Sequence, residues 1–188
     1  MIIFDFDKTL INKDTLYGFY KAAHGNNLSF KFKRIILIIS AILYKLKLLN
    51  NEGLKKVGVK LFLSKKSKKD LEKCAEIYVK TLDLNSIYQN IFLKYKKEER
   101  VIISASPEIY LKKIFPDEKV LGTTLIFEGE NTKLGVNCYN FNKLKRFNEA
   151  FPNSQIEAVY SDSYADKPLL EKSSKFFIVK DGFIVKRG

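Results

Sequence analysis

A chain of 188 residues suffices for one buried core carrying a small inserted subdomain. With 46% hydrophobic and 13% aromatic residues it is a folding sequence rather than a disordered one, and its two cysteines, Cys74 and Cys138, exclude a disulfide framework and a cysteine zinc site. The net charge of +13 is concentrated: residues 30–73 hold 13 Lys or Arg against three acids, which reads either as a patch that draws phosphates or an anionic lipid surface or as a Lys-rich solvated surface, and no nucleic-acid-binding motif accompanies it.

Met1-Ile2-Ile3-Phe4 is an apolar run stopping at Asp5, the pattern of a short buried strand. No basic n-region or cleavage site accompanies it, so no signal peptide is expected, and a reduced cytoplasmic setting is the simpler reading. Residues 14–98 then show helical periodicity and little strand signal, which predicts a helical insertion between the first and second core strands. Within it, residues 35–44 are almost wholly apolar, with Lys31, Lys33 and Arg34 on one side and Lys45 and Lys47 on the other. The run is too short for a membrane span, which needs about 20 residues. It reads either as a buried helix of the insertion or as an interfacial helix on an anionic membrane.

Val101-Ile102-Ile103 is a second apolar run, ending at Ser104, and a helix is predicted over 107–115 with Ser106 as its cap. Residues 124–127 and 133–136 flank Glu128-Gly129-Glu130-Asn131 and predict a peripheral β-hairpin. A helix follows over 142–151, then a strand over 156–160 leading to Ser161 and Asp162, and a helix over 166–172 with Pro168 in its first turn. Strands 176–180 and 183–186 are joined by Asp181-Gly182, a strong two-residue hairpin signal. The fold class is therefore α/β, a Rossmann-like parallel sheet. Its core spans 1–13 and 99–188, with a helical cap over 14–98. Polar residues collect where the first three apolar runs stop, the strand edge at which such sheets bind ligands.

Asp5 and Asp7 share one side of an extended backbone, and two carboxylates so held invite a divalent cation. Asp5-Phe6-Asp7-Lys8-Thr9 resembles the first motif, D-x-D-x-T, of the haloacid dehalogenase superfamily. The run ending at Ser104 resembles the second motif. Lys143, after Asn137-Cys138-Tyr139, resembles the third, and Asp162 with Asp166 the fourth. The order holds across nearly the whole chain, and the branch most similar is phosphoserine-phosphatase-like, with a helical cap. This resemblance implies a Mg²⁺-dependent phosphomonoester hydrolase. Asp5 would be the nucleophile that becomes an aspartyl-phosphate, and Asp7 the general acid and base. Ser104, Ala105 and Lys143 would bind the phosphoryl group. Asp5, the Asp7 carbonyl and Asp162 would ligate Mg²⁺, with Asp166 close behind. Two departures stand out: Lys8 where Gly is commonest, and Ser161 where Gly often precedes the fourth-motif Asp. Asp7-Lys8-Thr9 also resembles the D-K-T of cation-pumping ATPases, but Leu10-Ile11 follows and Asp5 stays the expected nucleophile.

The expected substrate is a small phosphometabolite. One alternative is a lipid phosphate at a membrane surface, since a similar apolar, basic-flanked segment occurs in relatives resembling phosphatidylglycerophosphate phosphatases. Another is a non-catalytic module that binds an anionic surface.

Overall fold

A computed structural model describes all of residues 1–188. Its central sheet has six strands: β1 (Ile2–Phe4), β2 (Arg100–Pro107), β3 (Val120–Thr123), β6 (Ile156–Ser161), β7 (Ser173–Lys180) and β8 (Phe183–Arg187). They run in the order β3-β2-β1-β6-β7-β8, all parallel except β8, which pairs antiparallel to β7. A separate hairpin, β4 (Leu125–Glu128) and β5 (Asn131–Leu134), lies off this sheet.

Alternation along the strands builds two cores. Ile2 and Phe4 of β1 and Ile102 of β2 face one side of the sheet, and Ile3, Val101 and Ile103 face the other. On the second side they pack against Leu144 and Phe147 of α7 (Phe141–Ala150) and Leu169 and Leu170 of α8 (Lys167–Lys172). The first side takes Tyr110 and Leu111 of α6 (Glu108–Ile114) together with the insertion. Three aromatic rings, Phe4, Tyr160 and Phe177, stack in register across β1, β6 and β7, with successive centroids 4.5 Å apart.

The insertion comprises α1 (Leu16–His24), α2 (Leu28–Lys45), α3 (Asn51–Phe62), α4 (Lys68–Val79) and α5 (Ser86–Asn90). Asparagine and serine side chains start four of them as the capping pattern requires: Asn27 accepts from the Phe30 amide, Asn50 from Gly53, Asn85 from Ile87, and Ser67 forms a capping box with Asp70. Beyond Leu84 the chain returns to the sheet. The Asn85 amide donates to the Leu10 carbonyl at 2.9 Å, and Phe92 meets Phe4 edge-on at 5.0 Å.

Several local expectations change. The strand β3 carries only Val120 and Leu121 as a sequence signal, too brief to stand out, yet it forms the sheet edge beside β2. The hairpin is tighter than expected: β4 runs one residue further, to Glu128, and β5 begins two residues earlier, at Asn131, leaving Gly129-Glu130 as a two-residue turn. Pro107 ends β2 rather than opening the helix, and Ser106 makes no cap for α6. Asp181 and Gly182 both adopt positive φ, 51° and 81°, as a tight hairpin between twisted strands demands. The largest change concerns residues 35–44. They form the body of α2, but the helix buries only Phe30 and Ser40, so this run is no core helix.

Candidate active site

The chain switches direction across the sheet at β1, which lies between β2 and β6. The C-terminal ends of these three strands deliver Asp5, Ser104 and Asp162 to one pocket of about 230 Å³. Asp7, Ala105, Lys143 and Asp166 also line it, so all seven sequence-predicted residues come together. The insertion completes the wall with Asp14, Leu16, Asn51 and Lys55.

Lys143 sits in the first turn of α7 and is buried. Its ammonium donates to Asp5 Oδ1 at 2.8 Å and to Asp166 Oδ2 at 2.7 Å. Burial alone would favour the neutral amine, but the Asp166 and Asp5 carboxylates outweigh it and hold the lysine well above its ordinary pKa. Its sequence neighbours point elsewhere. Lys145 is exposed beside Glu149, and Arg146 is tied to Glu108 and to the Gly122 carbonyl. Ser161 Oγ donates to Asp166 Oδ2 at 2.8 Å, so the serine in the fourth-motif glycine position anchors the acid that holds Lys143.

Asp5 is buried, and burial pushes its carboxyl up despite Lys143, with Asp166 and Asp162 adding to the rise. The Asp162 carboxyl is also raised, first by burial and then by Asp166. Asp7 faces a different set of partners. The Thr15 amide and hydroxyl donate to its Oδ1 at 2.8 and 2.7 Å, and Ser106 Oγ donates to Oδ2 at 2.5 Å. Burial raises Asp7 to about 6, and Asp14 adds to it, against the lowering by these bonds. Behind them the Tyr110 hydroxyl donates to Ser106 Oγ at 2.6 Å and lies 2.8 Å from Thr15 Oγ1.

Three of these residues escape sequence reasoning. Ser106 reads as a cap, whereas its hydroxyl holds Asp7. Thr15 follows the first motif in the chain, and only the fold turns it back onto Asp7. Lys55 is one of 13 cations in its stretch and has no local mark. Only 6% exposed, it donates to the Ala105 carbonyl at 2.6 Å, to Asn137 Oδ1 at 2.6 Å and to Thr123 Oγ1 at 3.2 Å. Burial lowers it to about 8. Lys8, at the pocket lip, has φ of 58°. That left-handed backbone explains why glycine suits the position. His24 lies outside the pocket, next to Phe30 and Phe62.

An open parallel sheet with carboxylates gathered at its topological switch point, under a helical insertion, places the chain among the open-sheet α/β proteins that bind ligands at that edge. More particularly, it belongs to the haloacid dehalogenase-like hydrolase family, whose pattern matches residues 2–171. It is similar to the protein CicA of Caulobacter vibrioides, 26% identical across 94% of this chain and 86% of the relative. Among solved structures it resembles a phosphoserine phosphohydrolase-like protein from Francisella tularensis (TM-score 0.69, 20% identity, 94% of this chain and 85% of the other). A substrate-bound phosphoserine phosphatase is also similar in fold (TM-score 0.62, 18% identity, 96% and 86%).

Proposed function

We propose that the protein is a phosphatase that hydrolyses phosphomonoesters through a covalent phosphoryl group on Asp5. The observation that carries this reading is Asp5 at the end of β1, its carboxylate 2.8 Å from the Lys143 ammonium inside a polar pocket. The phosphoserine-phosphatase-like fold supports it as well.

Asp5 Oδ attacks phosphorus as the ester oxygen leaves, which divides the hydrolysis into two easier displacements. Lys143 and the Ser104 hydroxyl hold the phosphoryl oxygens, with Ala105 beside them at the end of β2. Asp7, raised to about 6, carries the proton that the leaving oxygen takes up. The resulting Asp7 carboxylate then draws a proton from water as that water attacks the phosphorus on Asp5, releasing inorganic phosphate and restoring both acids. Thr15 and Ser106 keep the Asp7 carboxyl aimed throughout.

The residues fit a Mg²⁺ ion. Carboxylates of Asp5 and Asp162 flank the pocket, and the Lys143 ammonium is already shared by Asp5 and Asp166. Both carboxyls are raised first by burial, with Asp166 adding to the rise, and a cation beside them would favour their ionised forms. No three acidic, histidine or cysteine side chains close on one point, but an ion that keeps several waters needs few protein ligands. Asp5, Asp162 and the Asp7 main-chain carbonyl would hold it, since the Asp7 side chain is taken by Thr15 and Ser106. Bound there, Mg²⁺ offsets the repulsion between nucleophile and phosphoryl oxygens.

The test is phosphate release from a soluble aryl phosphate with and without Mg²⁺. Turnover that depends on Mg²⁺ and vanishes in Asp5→Asn supports the reading. An inactive parent protein, or Mg²⁺-dependent turnover retained by Asp5→Asn, overturns it. The small-phosphometabolite substrate expected from the sequence belongs to this proposal, and a panel of phosphorylated metabolites identifies it.

A further inference from the structure

Helix α2 presents to solvent the residues a globular helix ordinarily hides. Leu28, Phe32, Ile35, Ile39, Ile42 and Leu46 recur at spacings of four and three, one continuous stripe, and each is at least half exposed. Phe32 is 63% exposed and Ile39 52%. Isolated surface apolar residues need no explanation, but a contiguous stripe marks a contact surface.

Charge selects the occupant. Residues 15–51 contain no Asp or Glu and six cations: Lys21, Lys31, Lys33, Arg34, Lys45 and Lys47. A groove beside the stripe joins Lys21, Lys31 and Arg34 to Tyr17, Ile35 and Ile38, with the Arg34 guanidinium 5.9 Å from the Tyr17 ring centre. An apolar stripe edged by cations is complementary to acyl chains lying beneath anionic headgroups. No helix of the protein is long and apolar enough to cross a membrane, so α2 would lie in the interface plane. Its C-terminal end reaches the active-site mouth: the Tyr44 hydroxyl is 3.5 Å from that of Tyr139, which lines the pocket with Asp5.

We propose that α2 and the groove beside it dock the protein on the surface of an anionic lipid bilayer. The stripe from Leu28 to Leu46 enters the headgroup–acyl boundary, and Lys31 and Arg34 pair with lipid phosphates. Docking holds the pocket mouth beside the bilayer.

The experiment is co-sedimentation of the full chain with phosphatidylcholine vesicles, with and without phosphatidylglycerol, at low and high salt. Anionic vesicles should carry the protein down, neutral ones should not, and salt should weaken the binding. Each cation near the surface contributes about fivefold, so Lys31→Glu with Arg34→Glu should lower partitioning at least ~25-fold at low salt. Ile35→Asp with Ile39→Asp should abolish it while leaving thermal stability and aryl-phosphate turnover unchanged, because both side chains face solvent. No binding to anionic vesicles at low salt overturns the proposal, as does full binding by the Ile35→Asp/Ile39→Asp protein. A dimer that this variant disrupts, in a protein that ignores vesicles, overturns it in favour of a second copy on the stripe. Vesicle binding is read without turnover, so docking and phosphatase chemistry fail separately.

Discussion

The ammonium of Lys55, carried by the insertion, donates to the main-chain carbonyl of Ala105 at 2.6 Å, at the end of the core strand β2. The same carbonyl accepts from Thr123 Oγ1, and Asn137, which accepts from Lys55, donates to Asn51 of α3. One buried lysine thus links the insertion to the backbone beside Ser104. Replacing it with Met keeps the volume and removes the charge. Turnover of an aryl phosphate should fall at least ~10-fold through loss of positioning. Stability should move the other way near neutral pH. The folded lysine titrates near 8, below its ordinary 10.5, so its burial costs most below pH 8 and the cost fades as pH rises towards 10.5. That shift corresponds to about 3 kcal/mol. Lost hydrogen bonds offset part of it, and the stability difference between parent and Lys55→Met should shift towards the parent from about pH 7 to about pH 10. Urea unfolding at both values checks this.

Asp5→Asn should abolish both turnover and labelling of the chain by a phosphate-labelled substrate, because an amide oxygen is a poor nucleophile. The fold should persist, since removing a buried carboxylate leaves Lys143 its bond to Asp166. Label found on Asp7 of the variant would move the nucleophile to the D-K-T register.

Asp162→Ala and Ser106→Ala should fail in different ways. Asp162 borders the pocket as a proposed cation ligand, so its loss should raise the Mg²⁺ concentration needed for half-maximal rate at least ~10-fold. Ser106 donates to Asp7 instead, so its loss should lower kcat ~10-fold or more with the Mg²⁺ requirement unchanged. Metal titration of both variants decides, and equal Mg²⁺ affinity in Asp162→Ala and the parent would remove Asp162 from the ligand set.

Asp7→Asn should lose activity and gain stability. The folded carboxyl titrates near 6 against an ordinary 3.8, raised first by burial. The folded state therefore holds the proton more tightly, and stability falls as pH rises from about 3.8 through about 6. Above that the ionised group costs about 3 kcal/mol, of which rearranged bonds from Thr15 and Ser106 return a part. In chelator, Asp7→Asn should be more stable than the parent by about 1–3 kcal/mol near pH 8, with the gain vanishing near pH 4. Thermal melts across this range provide the measurement.

Much of the architecture is local and was therefore readable along the chain. Runs of three to five mostly apolar residues stopping at Asp5, Ser104 and Ser161-Asp162 encode buried strands together with the edge at which they end. Asp181-Gly182 encodes its hairpin because tight turns need positive φ. The tertiary structure alone decided which distant groups meet. Ser106 lies 99 positions from the Asp7 it holds, and Lys55 lies 50 from Ala105, so no periodicity could join them. The short strand β3 owes its place to pairing with β2, a long-range gain that its own few residues do not advertise. Residues 35–44 show the same division. Their apolar character is written in the sequence, but whether such a helix faces a core or solvent depends on what the rest of the chain packs against it. Here the fold covers one narrow side, at Phe30 and Ser40, and leaves the stripe from Leu28 to Leu46 open.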